Sequence, residues 1–268
     1  VRVIITGAAS GIGRAVAERL TRDGQLSAEP AELVLTDVQE QALESVGDYV
    51  RGLGAHVATL AADLADPDSP RAVTAMASAV FGGLDALVSN AGVIQFGPLS
   101  QLAISDWDRI LAVNTRATFL LAQATYPLLR ESRGSVVATA SLAAHHPTPS
   151  LGGYAVSKAA LRMLVQQLAL EWGSDGIRVN SVSPGSTRTA IAGDQKDHPS
   201  DDRIATNPLH IYSEPSDQAG VIAFLLGPDA RFITGADILV DGGSNVQLMA
   251  LRAAATQVDH YAVDSRRP

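Results

Sequence analysis

The opening thirteen residues constrain the fold more than any other stretch. Val1 to Thr6 is a short apolar run rich in β-branched residues. It breaks at Gly7-Ala8-Ala9-Ser10-Gly11-Ile12-Gly13, after which apolar positions recur at helical spacing on Val16 and Leu20. Strand, glycine turn and helix in that order form a unit with a specific physical use. Glycine lets the backbone turn tightly and approach a ligand, while the helix start offers unpaired N–H groups and a positive dipole end to a pyrophosphate. A second strand, Leu33 to Thr36, ends in Asp37, an acidic residue placed to accept hydrogen bonds from ribose hydroxyls. The stretch between, Gln25 to Glu32, is longer than the usual connection and reads as a surface excursion.

The same alternation continues down the chain. Strand-like runs at His56 to Ala61, Leu84 to Val88, Ser135 to Ala140, Ile177 to Val182 and Ala236 to Val240 are separated by helical stretches. Those helices fall near Gln39 to Leu53, Ser69 to Phe81, Ile104 to Arg130, Gly153 to Trp172 and Gln218 to Leu226. Such a pattern predicts an α/β fold, a single Rossmann-type doubly wound parallel sheet of about seven strands with helices on both faces. One domain over residues 1–246 is expected, with 247–268 as a C-terminal extension. Ligands of this architecture bind outside the carboxyl ends of the strands, where Gly7, Asp37, Asp63, Asn90, Ser141 and Pro184 all fall.

Asp37 also bears on which dinucleotide fits. A 2'-phosphate about 4 Å away would meet on the order of 4 kcal/mol of repulsion per charge pair at an effective dielectric of ~20. Ser10 and Val38, where an arginine could neutralise that phosphate, are not basic, so NAD is expected over NADP. The alternative for Asp37 is a cap on the following helix. The net charge of -8 and the lack of a basic stripe argue against nucleic acid or an anionic membrane as partner. With no cysteine there is no disulfide frame and no thiolate metal site. No apolar run reaches the ~18 residues of a membrane span and no leader precedes the first strand, so a cytoplasmic location is the expectation.

Chemistry enters at Tyr154-Ala155-Val156-Ser157-Lys158. Residues four apart share a helix face, so the Lys158 ammonium can act on the Tyr154 phenol. A phenol titrates near pH ~10, and lowering it by roughly three units takes about 4 kcal/mol. A neighbouring cation in a partly dry cleft can supply that.

With these pieces in order, the chain resembles the short-chain dehydrogenase/reductase family over Val1 to Asn245. The matching residues are Thr6 to Gly13, Asp63-Leu64, Ser89-Asn90-Ala91-Gly92, Asn114, Ser141 thirteen residues before Tyr154, Tyr154 to Lys158, Pro184-Gly185, and Ile233-Thr234-Gly235 to Asp241-Gly242-Gly243. Ser89 stands where the family more often has Asn, and Ala144 where Gly is common. The resemblance implies an NAD-dependent alcohol dehydrogenase or carbonyl reductase. Tyr154 would be the general acid/base, Ser141 would polarise the substrate oxygen, and Lys158 would tune Tyr154 and bind the nicotinamide ribose. Asn114 would hold a water linking Lys158 to solvent. Gly7, Ser10, Gly11, Ile12 and Gly13 would carry the dinucleotide, Asp63 and Leu64 the adenine, and Asn90 with Gly92 the ribose side. Pro184, Gly185, Thr187 and Thr189 would follow, with Thr187 on the carboxamide and Thr189 near phosphate. An inactive nucleotide-sensing or scaffold protein on the same fold is the competing reading, and intact Asn114, Ser141, Tyr154 and Lys158 argue against it.

For the substrate, Gln95, His145, His146, Leu151, Ser186 and Tyr212 are candidate pocket residues, a mixture suited to a polyol, a hydroxy-ketone or a cyclic ketone. Residues 190–212 would close over it as a lid. A hydrolase using Ser141 with His145-His146 is disfavoured because no nucleophile-elbow pattern and no acidic orienter accompany them. A metal site there is disfavoured for want of a helical His pair or carboxylate cluster. The two histidines would line the substrate pocket or only its rim. The helices around Asn114 and after Tyr154 carry more apolar positions than one buried stripe needs, so they want a second partner; the family resemblance implies a homotetramer or homodimer through them. Residues 247–268 run past the family's usual ending and would either cover a neighbouring subunit or be disordered, with packing the preferred reading.

Overall fold

The computed structural model describes residues 1–26, 29–191 and 207–247. Its sheet has seven strands, all parallel: β1 (Arg2–Thr6), β2 (Glu32–Asp37), β3 (His56–Ala61), β4 (Ala86–Ser89), β5 (Ser135–Thr139), β6 (Arg178–Pro184) and β7 (Asp237–Val240). Their spatial order is β3-β2-β1-β4-β5-β6-β7. The order reverses between β1 and β4, which opens a crevice at the carboxyl ends of those two strands.

Alternation along each strand assigns the two cores. Val3 and Ile5 of β1, with Leu33 and Leu35 of β2, face one layer; Ile4 and Val34 face the other. The first layer holds α1 (Gly11–Leu26), α2 (Glu40–Gly52) and α7 (Pro215–Leu226), through residues such as Val16, Val46 and Ile222. The second holds α3 (Ser69–Phe81), α5 (Ala117–Ser132) and α6 (Gly152–Trp172), through Val73, Leu121 and Leu161. Because both faces are covered, the central strands read as unbroken apolar runs.

The helix expected over Ile104 to Arg130 is not continuous. It divides into α4 (Ile104–Leu111), a π-helical turn (Ala112–Arg116) and α5. Such turns displace one side chain from the regular face and concentrate at functional sites; Asn114 lies inside this one. Of the excursion read at 25–32, residues 27–28 lie outside the described residues, as do 192–206 of the expected lid and 248–268 of the extension.

Candidate active site

A cleft of about 1060 Å³ opens at the crevice between β1 and β4. Two glycines shape its floor. Gly7 follows β1 at φ +65°, and a Cβ there would stand 2.9 Å from Ala91 Cα. Gly13, on the first turn of α1, lies beneath the cleft wall, where a Cβ would meet the Gly7 carbonyl oxygen at 2.2 Å. The tight strand-to-helix packing therefore needs glycine at both positions. Gly11 faces Thr189 across the entrance, with 3.1 Å between its built Cβ and Thr189 Cγ2.

The strand ends are joined by buried hydroxyls. Thr6 Oγ1 accepts the backbone N–H groups of Asn90 (2.9 Å) and Ala91 (3.0 Å). Asn90 Nδ2 donates back to the carbonyls of Thr6 (3.1 Å) and Gly7 (3.3 Å). Asn90 Oδ1 accepts from Thr139 Oγ1 at 3.1 Å, and the Thr139 carbonyl accepts Lys158 Nζ at 2.7 Å. One network thus runs from the glycine turn across β4 and β5 to α6.

At one end of the cleft Asp37 accepts the Ala9 N–H on Oδ2 (3.1 Å) and the Gln39 N–H on Oδ1 (3.0 Å). Each oxygen keeps capacity for a further donor, so the backbone role and a ligand role coexist. Asp63 accepts the Ala65 N–H at 2.9 Å and pairs with Arg109 Nη1 at 3.1 Å. These bonds, the backbone one first, hold its carboxyl below the usual range against the opposing effect of burial.

At the other end stand Ser141, Tyr154 and Lys158. Ser141 caps a short 3-10 turn, and its Oγ accepts the Ala143 N–H at 3.1 Å. That fixes a lone pair and leaves the hydroxyl proton to donate, here to the Tyr154 phenol oxygen. Burial raises the Tyr154 phenol above its ordinary value, while its hydrogen bond with Ser141 pulls it down. Lys158, only 3% exposed, is driven by burial from 10.5 to about 8. Its Nζ lies 5.8 Å from the Tyr154 ring centroid. The phenol thus stands above its ordinary value, where Lys158 was expected to lower it, because burial is the leading effect on both groups.

Asn114, 1% exposed, lies below the wall. Its Nδ2 donates to the Val93 carbonyl and to Ser157 Oγ, each at 2.9 Å, and its Oδ1 accepts the Val93 N–H at 2.8 Å. It ties the segment after Gly92 to the helix that carries Tyr154.

The cleft wall includes Gly7, Ser10, Gly11, Ile12, Asp37, Asp63, Leu64, Asn90, Gly92, Pro184, Gly185, Thr187 and Thr189. His146, Leu151 and Ser186 also line it, beside the apolar Ile94, Phe96, Leu142 and Pro149. Three of the expected substrate residues lie off this wall. Gln95 is exposed and off the wall, which its neighbours Ile94 and Phe96 form. His145 turns away to bond Asp237 at 2.6 Å. Tyr212 stacks its ring under the Arg188 guanidinium, 5.4 Å from the centroid, and does not reach the cleft. Sequence reasoning in turn gave Thr6 no role beyond the glycine motif and missed Thr139 and Arg109. The first two end strands β1 and β5, and a hydroxyl at the last position of a buried strand is the signal that marks them.

A glycine floor too tight for a Cβ, a carboxylate at one end and a serine, phenol and amine at the other fit an elongated dinucleotide. Fold and cleft together define a dinucleotide-dependent oxidoreductase architecture. A family model described as enoyl-(acyl carrier protein) reductase matches residues 7–245. The chain is similar to dehydrogenase/reductase SDR family member 4 of Bos taurus, 36% identical over 90% of this chain and 86% of that one. It is also similar to a solved short chain dehydrogenase from Burkholderia cenocepacia J2315 in complex with NADP (36% identity, TM-score 0.82, covering 91% and 97% of the two chains). A 3-ketoacyl-(acyl-carrier-protein) reductase from Brucella melitensis complexed with NADH matches at 28% identity and the same TM-score, covering 91% and 97%. The chain belongs to the short-chain dehydrogenase/reductase family. It is an oxidoreductase with a nicotinamide dinucleotide as cofactor and small molecules as substrates. Among the described residues no helix is long and apolar enough to cross a membrane.

Proposed function

We propose that this protein interconverts a secondary alcohol and its ketone with NAD as the preferred dinucleotide, Tyr154 serving as general acid/base. The observation that carries the reading is the Ser141–Tyr154–Lys158 group at the inner end of the glycine-floored cleft. The dinucleotide, when bound, supplies and accepts the hydride. Gly7, Gly11, Ile12, Thr187 and Thr189 would hold its phosphates and carboxamide, and Asp37, Asp63 and Leu64 its adenosine end.

Ser141, its oxygen engaged by the Ala143 N–H, would turn its own O–H from the Tyr154 phenol to the substrate oxygen and stabilise charge that develops there. The raised phenol is protonated at neutral pH, so Tyr154 stands ready to give its proton to a carbonyl oxygen. In the oxidative direction the phenol must first release its own proton, and the phenolate then receives the alcohol's. Lys158 has one of its three N–H donors on the Thr139 carbonyl, which leaves two for the ribose hydroxyls.

The preference for NAD rests on Asp37, with Val38 and Ser10 uncharged and the Arg109 guanidinium of the wall already paired to Asp63. Assembly as a homotetramer, or a homodimer, is supported by apolar side chains left exposed on α5 and α6, among them Phe119, Met163 and Leu170 at 79%. A cytoplasmic setting goes with the absence of cysteine. A panel of secondary alcohols and ketones, followed by nicotinamide absorbance with NAD and NADP in parallel, tests the reading. No turnover across the panel would refute the reaction, and faster turnover with NADP would refute the Asp37 argument. Sedimentation showing only monomer across a concentration series would refute the assembly.

A further inference from the structure

A buried polar cluster at the start of β7 lies outside the cleft, yet it touches both elements that carry the reacting groups. The Asp237 carboxylate is only 4% exposed. Its Oδ1 accepts the Ser181 hydroxyl at 2.6 Å, and the Ser183 hydroxyl lies 2.9 Å from both oxygens. Its Oδ2 receives His145 Nε2 at 2.6 Å and faces Arg162 Nε at 3.3 Å as an ion pair. The Arg162 Nε is buried and makes no hydrogen bond of good geometry, so its attraction to the carboxylate is mainly one of charge.

The placement of these partners is what gives the cluster a use. Ser181 and Ser183 are two apart on β6 and share one sheet face, and Asp237 is the register partner of Ser181. His145 closes the 3-10 turn that Ser141 opens. Arg162 lies one helical turn beyond Lys158 on α6, the helix that also carries Tyr154. A single carboxylate therefore fastens the Ser141 turn and the Tyr154 helix to the same pair of strands. Stability alone does not account for such a group, since buried ion pairs are often no more stabilising than apolar residues of similar size. What it provides is register between two elements whose side chains must meet to within a fraction of an ångström.

We propose that Asp237, acting through His145 and Arg162, is a positioning residue that holds the Ser141 hydroxyl in register with the Tyr154 phenol. This rests on the function proposed above only in taking Ser141 and Tyr154 as a working pair. Asp237→Asn keeps the shape but leaves one acceptor oxygen, and its amide N–H groups confront donors.

The test is the NMR resonance of Tyr154 in protein labelled at tyrosine Cζ, identified by its loss in Tyr154→Phe and read at one neutral pH without substrate. Ser141→Ala removes the hydroxyl contact and displaces the resonance. Asp237→Asn displaces it in the same direction and adds nothing in the Ser141→Ala background, the non-additivity of residues that act as a unit. His145→Ala gives the same displacement, and His145→Gln, which retains an N–H donor, largely restores it; this pair stands in if Asp237→Asn does not fold. On the best alcohol of the panel, kcat falls about tenfold while the KM for NAD stays within about twofold. A merely structural role would lower the unfolding midpoint and leave the resonance of the folded protein in place. An unmoved resonance in Asp237→Asn and His145→Ala, or a displacement fully additive with Ser141→Ala, overturns the proposal. If the resonance responds as stated but Tyr154→Phe leaves turnover intact, the clamp stands and the reaction assignment fails. If Tyr154→Phe and Ser141→Ala abolish turnover and Asp237→Asn changes nothing, the reverse holds.

Discussion

Replacing Lys158 by methionine should flatten the alkaline pH dependence of stability by an amount the structure sets. Lys158 is 3% exposed, and burial takes its ammonium from 10.5 to about 8. The unfolded chain keeps that proton up to its ordinary pKa, whereas the folded protein releases it near pH 8. Between those values the unfolded state binds more protons, so the folded state gains stability as pH rises; below about pH 8 the cost of the buried charge is present in full. A fall of about 2.5 units at ~1.36 kcal/mol each makes that cost roughly 3 kcal/mol. Between about pH 7 and pH 9.5 about 2 kcal/mol of it is relieved. Lys158→Met keeps the apolar stem, abolishes the titration and leaves the Thr139 carbonyl without its donor, a loss of about 1–3 kcal/mol that does not vary with pH. Urea unfolding of both proteins at one protein concentration reads the difference directly. Wild type should gain about 2 kcal/mol on the variant over that pH range. Parallel pH curves would show that Lys158 keeps its ordinary pKa and would refute the argument.

Asn114→Ala deletes bonds to the Val93 carbonyl, the Val93 N–H and Ser157 Oγ, the first two partly buried and the last buried; urea unfolding should show a loss of about 2–5 kcal/mol. Gly13→Ala sets a methyl 2.2 Å from the Gly7 carbonyl oxygen. Calorimetry should find NADH binding weakened at least tenfold, with stability reduced by about 1–3 kcal/mol. Asp37→Ala removes the charge that opposes a 2'-phosphate and should raise the ratio of NADP to NAD turnover by between about tenfold and a thousandfold.

The fold was legible because each strand is a short apolar run closed by a polar or glycine residue, and each helix carries its own periodicity. His56–Ala61 and Ser69–Phe81 match their expected bounds to the residue. The π turn at Ala112–Arg116 was not legible, since one inserted residue leaves the apolar periodicity of its flanks intact. At the site, chemistry-bearing side chains at strand ends could be read because topology fixes where those ends go. The substrate wall could not, because loop residues choose between the cleft and local partners by contacts that spacing does not encode. His145 went to the Asp237 carboxylate, 92 residues away in the chain. Tyr212 went to the Arg188 guanidinium. The direction in which Tyr154 shifts was not legible either, because the burial that raises it is set by packing that appears only in the folded structure.

The central claim is that Tyr154 moves the proton while the dinucleotide moves the hydride, and Tyr154→Phe tests it most directly. Turnover of the best alcohol should fall by about 10²–10⁴-fold, with NADH affinity by fluorescence titration unchanged within about threefold. Turnover within a few fold of wild type, with NADH still bound, would contradict the account.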